Sequence, residues 1–298
     1  MSPIPTIRLA DGNAIPILGF GTGTTWFKDG PDALPIRGIL DKELISTLKH
    51  ALSTGFLHLD CAQSYGNEEE VGIAIRESGI PRESLFLTSK VQDSIADIPR
   101  ALKGSLERLQ TDYLDLFLIH TPYYTDDPAE LQRAWKAMEE VKKTGKVKSI
   151  GVSNFQRRHL ETVLQVATDK PAVNQLEFHP YLQRSGDYLP WMREQGIEVS
   201  SFKGLAPLTV AKGGPLDKPL EMIARKHGVS TSVVLLRWHI EQNVVPITTS
   251  SHKQRMTDYL KAIDLRLSPD EVEEISQIGQ THHFRWWGKQ FFAPDDRS

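Results

Sequence analysis

The sequence predicts an α/β fold: a closed (β/α)8 TIM barrel with an N-terminal β-hairpin and extra helices and loops near the C-terminus. Three observations predict it. Short apolar runs recur at 17–22, 56–61, 85–91, 113–120, 147–153, 172–178, 197–202 and 244–249, eight in all. Amphipathic helical patterns alternate with them, which is the pattern of a parallel sheet covered by helices. The first run leads into "GFGTGTTW", where Gly19, Gly21 and Gly23 follow a G-x-G-x-G spacing, and the next helical pattern starts only near Asp41. A dinucleotide fingerprint needs G-x-G-x-x-G opening a helix at once, so an open doubly wound sheet is disfavoured. Eight strands favour the closed barrel.

The elements follow in order. "TIRLADGNAIPILGF" holds two apolar segments around Asp11-Gly12-Asn13, a hairpin signal over 6–16. The stretch 41–53 places Leu44, Ile45, Leu48, Ala51 and Leu52 on one helical face, with Asp41 as N-cap and Gly55 just past the end. Two helical patterns, 216–227 and 230–242, precede the last strand. The tail 280–298, "THHFRWWGKQFFAPDDRS" from Thr281 on, is aromatic-rich and lacks a regular period. No linker or composition shift divides residues 1–298, so one barrel domain is expected.

Composition narrows the function. With 39% hydrophobic and 24% charged residues, the chain can build a packed core. A net charge of −3 offers neither a basic nucleic-acid surface nor a polybasic membrane anchor. No apolar run approaches the ~20 residues of a membrane span. "MSPIPTIRLADGN" lacks a basic segment followed by an apolar one, so no secretory signal is expected. Cys61 is the only cysteine, which excludes a disulfide framework and a cysteine zinc site and points to a reducing cytoplasm. The expected partner is a small molecule, and the expected assembly a monomer or weak homo-oligomer.

In such a barrel the C-terminal strand ends share one mouth. Strand two ends at Asp60, with Tyr65 in the loop beyond. Strand three ends in Ser89-Lys90, strand four in His120, and strand five runs into Ser153-Asn154. Strand six contains Asn174, Gln175 and Glu177. Singly, each has a plainer reading: Asp60 as a cap, Tyr65 as packing, His120 as a satisfied core histidine. Together they make a chemical unit. A tyrosine with its pKa near ~10 is a poor acid, and a nearby ammonium lowers that value. A carboxylate keeps the ammonium in place and charged. A histidine can orient a carbonyl oxygen. A ketone so polarised needs only a hydride, which a nicotinamide supplies. A metal centre built on His58, His120 and His179 is the weaker alternative, since no H-x-H pair closes a strand end.

The stretches "DGNAIPILGFGT", "LDCAQSYGNEEEVG", "LFLTSKV", "DYLDLFLIH", "IGVSNF", "VNQLEFHP" and "TSSHKQR" carry a resemblance, in order and spacing, along nearly the whole chain. The sequence resembles the aldo-keto reductases. "GTGTTW" and "VVPITTSS" look most like the fungal branch that reduces conjugated polyketones and α-keto amides. By that resemblance Asp60, Tyr65, Lys90 and His120 fall on the catalytic tetrad, with Tyr65 as general acid, Lys90 depressing its pKa, Asp60 holding Lys90, and His120 orienting the carbonyl. Ser153, Asn154 and Gln175 fall on positions that bind the nicotinamide carboxamide. Gly21, Thr22 and Gly23 line the cofactor.

The resemblance implies NADPH as cofactor, and this chain departs from the family pattern in two places. Where the family commonly has a stacking tyrosine in "AYSPLG", this chain has "SSFKGLAPL", so Phe202 offers a face without a hydroxyl. Lys203 and Leu205 lie in the same loop, and Lys203 is a candidate for the pyrophosphate. In "PITTSSHKQRMTDY", Thr249 stands where a lysine is common. Ser250, Ser251, Lys253 and Arg255 remain for the 2′-phosphate, Arg255 foremost. The missing lysine makes NADH usable at lower preference. Trp26, Phe27, Tyr123, Tyr124, Trp286 and Trp287, with Tyr65 and His120, are the expected substrate contacts. Such a wall suits a dicarbonyl, a keto ester or lactone, or an aromatic carbonyl. A cofactor-binding redox sensor with little turnover is the second reading.

Overall fold

Phe86, Leu87, Thr88, Ser89, Lys90 and Val91 alternate between two faces of one strand, and this period of two organises the molecule. In the computed structural model, which describes residues 4–28 and 40–298, the hairpin strands β1 (Thr6–Arg8) and β2 (Ala14–Pro16) pair antiparallel. Eight parallel strands then close a barrel: β3 (Gly19–Gly21), β4 (His58–Asp60), β5 (Phe86–Val91), β6 (Leu114–Ile119), β7 (Val147–Ser153), β8 (Val173–Glu177), β9 (Glu198–Phe202) and β10 (Val244–Thr248), with β10 bonded to β3.

All eight strands lie inside the stretches read from the sequence, and several are shorter. Phe56 and Ile17 are buried but outside the strands, because their backbone N–H groups bond to Ala51 and Pro5 carbonyls rather than to the ladder.

The helices cover the barrel: α1 (Lys42–Thr54), α2 (Glu68–Ser78), α3 (Ile98–Leu109), α4 (Pro128–Lys143), α5 (Arg157–Leu164), α6 (Tyr188–Glu194), α7 (Asp217–His227), α8 (Thr231–Glu241), α9 (Lys253–Tyr259) and α10 (Pro269–Gln280). α1 shows why. Asp41 accepts the Leu44 N–H at 2.9 Å, Gly55 ends the helix at φ 114°, and Leu44, Leu48, Ala51 and Leu52 bury the expected face. Each such leucine contributes roughly 1.5–3 kcal/mol on burial.

Alternation sorts the strand residues into two cores. Leu59, Cys61, Leu87, Val91, Phe117 and Ile119 face outward into the helix layer. Phe86, Leu116, Leu118 and Val173 face inward, and Leu9 and Ile15 of the hairpin segment join them as the floor of the barrel. Toward the C-terminal ends of β4, β5, β6 and β8 the same inward face becomes polar, at Asp60, Lys90, His120 and Gln175. That switch makes the site. Among the described residues, no helix is long and apolar enough to cross a membrane.

Candidate active site

The inward face carries Asp60 at the end of β4, Lys90 near the end of β5, His120 just after β6 and Gln175 in β8. Tyr65 ends the short 3₁₀ turn Gln63–Tyr65 that follows β4. Lys90 is fully buried. Its ammonium donates to Asp60 Oδ1 at 2.5 Å, to the Cys61 carbonyl at 2.9 Å and to the Tyr65 hydroxyl at 3.4 Å. Gln175 Nε2 donates to Asp60 Oδ2 at 2.7 Å, so both carboxylate oxygens are occupied. Burial alone favours a neutral amine. The Asp60 carboxylate and the Tyr65 oxygen outweigh it, and the Lys90 pKa is raised.

Tyr65 corrects one expectation. The ammonium was expected to depress its pKa. Burial instead pushes the phenol above its ordinary value, and Lys90 offsets only part of that. At neutral pH Tyr65 is therefore a phenol. Burial, helped by the Lys90 charge, holds His120 well below its ordinary value, so its imidazole is neutral. Its Nδ1 lies 3.1 Å from the Ser64 hydroxyl, and its ring meets Tyr65 edge-to-face at 5.5 Å. Gly23 lies against this pair: a Cβ there would stand 3.0 Å from Tyr65 Cζ, so any side chain would push the phenol aside.

A cavity of about 480 Å³ opens above these groups. Of the expected residues, Gly21, Gly23, Asp60, Tyr65, His120, Ser153, Asn154, Gln175, Phe202, Lys203, Thr249, Trp286 and Trp287 line it. Asn154 sits at φ 62° and donates to the His120 carbonyl at 3.0 Å and to Ser153 Oγ at 3.1 Å. Asn154 Oδ1 and Thr249 Oγ1 are buried without a hydrogen-bond partner. An unused acceptor, an unused hydroxyl and Phe202, all among the cavity's lining residues, fit an amide-bearing flat ring such as nicotinamide. Lys203 takes a left-handed backbone (φ 58°), and its ammonium lies 3.7 Å over the Trp286 ring. Burial holds its pKa below the ordinary lysine value.

Other expected residues stand elsewhere. Thr22 is fully buried, and its hydroxyl turns to Asn67 Oδ1 (3.2 Å) instead of the cavity; Thr24 lines the cavity in its stead. Trp26 is 7% exposed and packs in the outer core, because its loop folds back with the Trp26 N–H on the Gly23 carbonyl; Phe27 lines the cavity. Tyr123 is outside the lining and stacks on Phe291 at 4.1 Å, supporting the tail. Leu205 packs against the outer core. Ser250 accepts the His252 N–H at 3.0 Å. Ser251, Lys253 and Arg255 are exposed around the start of α9, outside the cavity lining.

Phe27 stands in the cavity lining as expected, whereas Tyr124 lies outside it against the outer core. Ser64, Asn67 and Gln92 were not among the expected site residues. Asn67 read as a turn residue. It is buried, and its amide donates at 2.8 Å to the carbonyls of both Thr22 and Trp26. A polar residue between a glycine and an acidic helix start gives no signal that separates these roles.

The profile described as "Aldo/keto reductase family" matches residues 18–280. An NAD/NADP-dependent indole-3-acetaldehyde reductase of Schizosaccharomyces pombe is 39% identical, covering 94% of this chain and 97% of its own. An NADPH-dependent alpha-keto amide reductase of Saccharomyces cerevisiae is 35% identical, covering 95% and 94%. The crystal structure of an aldo/keto reductase from Brucella melitensis superposes with a TM-score of 0.80 at 35% identity, covering 92% of this chain and 99% of that one. A match over most of the barrel, relatives aligned nearly end to end and a shared closed sheet lead to one assignment: the chain belongs to the aldo/keto reductase family.

Proposed function

We propose that the protein is a carbonyl reductase that uses NADPH, and NADH at lower preference, to reduce a ketone or aldehyde, with Tyr65 as general acid. One observation carries the reading: the buried Asp60–Lys90 pair places the ammonium 3.4 Å from the hydroxyl of a tyrosine that lines the cavity. The relatives' names, an aldehyde reductase and a keto amide reductase, support the same class. The nicotinamide, when bound, supplies the hydride.

The chain's own residues do the rest. Tyr65 gives its proton to the carbonyl oxygen as that oxygen becomes an alkoxide. The Lys90 ammonium stabilises the phenolate left behind, and Asp60 keeps Lys90 charged in a dry site. His120 Nδ1 meets the Ser64 hydroxyl at 3.1 Å, and in the tautomer that accepts from it the ring's proton is on Nε2, where it would hold the substrate oxygen. Ser153, Asn154, Gln175 and Phe202 would hold the nicotinamide ring. Lys253 and Arg255, which make no ion pair among the described residues, are the cations available for a 2′-phosphate. Phe27, Trp286 and Trp287 give the cavity an aromatic wall, which favours a dicarbonyl, a keto ester or lactone, or an aromatic carbonyl.

The test is NADPH oxidation against a panel of such carbonyls, with NADH alongside. Wild type turns over, and Tyr65→Phe loses at least ~100-fold in kcat while its NADPH Kd holds. Wild-type turnover in Tyr65→Phe would remove the tyrosine from this role.

A further inference from the structure

β8 places Val173, Gln175 and Glu177 on one inward face. Gln175 holds Asp60. Two residues on, Glu177 is fully buried at the mouth and pairs with no lysine or arginine among the described residues. Its Oε1 accepts the main-chain N–H of Trp286 at 2.7 Å, and its Oε2 that of Trp287 at 2.8 Å. His179 Nε2 lies 3.1 Å from Oε1. The two tryptophans lie in the irregular tail beyond α10, where no strand or helix partner takes their N–H groups. Trp286 is 43% exposed, so burial of its own ring does not fix its place. Trp286 and Trp287 both line the cavity that Tyr65 and His120 line. Across the β8–β9 ladder Glu177 pairs with Phe202, and the next residue, Lys203, covers the Trp286 ring. A buried carboxylate forms strong hydrogen bonds to peptide N–H groups, and among the described residues its one other hydrogen-bond partner is His179.

We propose that Glu177 is a positioning residue for substrate selection. By holding the consecutive peptide N–H groups of Trp286 and Trp287, it fixes the aromatic wall of the cavity and so sets the preference for carbonyls large enough to touch that wall. The substrate clause rests on the reductase reading; the anchor itself does not.

The experiment compares wild type with Glu177→Gln, whose amide turns a donor toward one of the two N–H groups. The first arm needs no turnover. In wild type the Trp286 and Trp287 amides are protected from hydrogen exchange relative to Lys289 and Gln290, and in the variant they exchange at least ~10-fold faster. The second arm is kinetic. KM for a two-ring aromatic diketone rises roughly 10-fold, KM for a three-carbon dicarbonyl moves less than about 2-fold, and kcat for both stays within about 3-fold. A merely structural role would move both KM values together, and that result, or unchanged exchange, overturns the proposal. If Glu177→Gln does not fold, wild-type exchange decides the anchor: fast exchange at Trp286 and Trp287 sinks it. Trp287→Ala keeps both N–H groups and supplies the kinetic arm, with protection retained and size preference lost; retained size preference counts against the wall. Absence of turnover with every carbonyl would sink the reductase reading and the substrate clause, and leave the exchange result to judge the anchor.

Discussion

Tyr65 sits between two opposed influences, burial raising its pKa and Lys90 lowering it, with burial ahead. The sign of the pH dependence follows. Reduction needs the phenol, so kcat/KM stays flat from neutral pH to the ordinary tyrosine value of about 10 and falls only beyond it. Oxidation of the alcohol needs the phenolate, so its kcat/KM rises with pH over the same interval. His120 is held neutral and adds no inflection near 6.5. Paired pH profiles in the two directions check this, and an alkaline loss of reduction near pH 8 would show the cation winning instead. Asp60, Lys90 and His120 were legible in the sequence because each is a polar residue ending an apolar strand, a costly place to stand without a reason. The direction of the Tyr65 shift was not, since it depends on how deeply the hydroxyl is enclosed. Trp26 was misplaced for a related reason: an indole in a loop serves a core or a cavity equally well, and only the fold of the loop decides.

At the scale of elements, the strands were readable and the loops between them were not. Apolar runs of five or six residues mark a barrel strand however its neighbours lie. The contact that joins two active-site loops has no such mark. Asn67 precedes α2, yet its side chain donates to the carbonyls of Thr22 and Trp26 and accepts from the Thr22 hydroxyl. It ties the loop carrying Gly23 to the loop carrying Tyr65. Asn67→Leu takes the amide donor from two buried carbonyls, leaves the Thr22 hydroxyl only the Asp60 carbonyl at 3.4 Å, and lowers stability by about 2–4 kcal/mol. Chemical denaturation measures that loss, and a variant as stable as wild type would show that the loops hold each other by packing alone. The same logic places Glu177: its even spacing from Gln175 was visible, but its partners lie 109 and 110 residues away.

At the scale of the molecule, the barrel interior changes character along its axis, from an apolar floor to a polar mouth, and His58 stands at the join. It precedes Asp60 by two residues on the inward face of β4. Its Nε2 lies 3.0 Å from the Thr88 hydroxyl, and its ring meets Phe86 edge-to-face at 4.8 Å. Burial holds its pKa at about 4. The unfolded chain, with a histidine near 6.5, takes up the proton first. Stability from the neutral ring is therefore complete above about pH 6.5 and is lost as pH falls toward 4, a loss of about 3 kcal/mol at the lower end. His239, likewise fully buried and held at about 4, adds a second loss of the same sign. Against a total stability of about 5–15 kcal/mol, two such groups make the fold acid-sensitive well above the range where carboxylates protonate. Urea unfolding at pH 7.5 and 4.5 measures it. His58→Asn carries no proton uptake at this position, so its stability falls by about 2–3 kcal/mol less than wild type between those pH values. Equal losses in the two proteins would mean that His58 keeps its proton in the folded barrel, shared between the Thr88 hydroxyl and the carboxylates nearby.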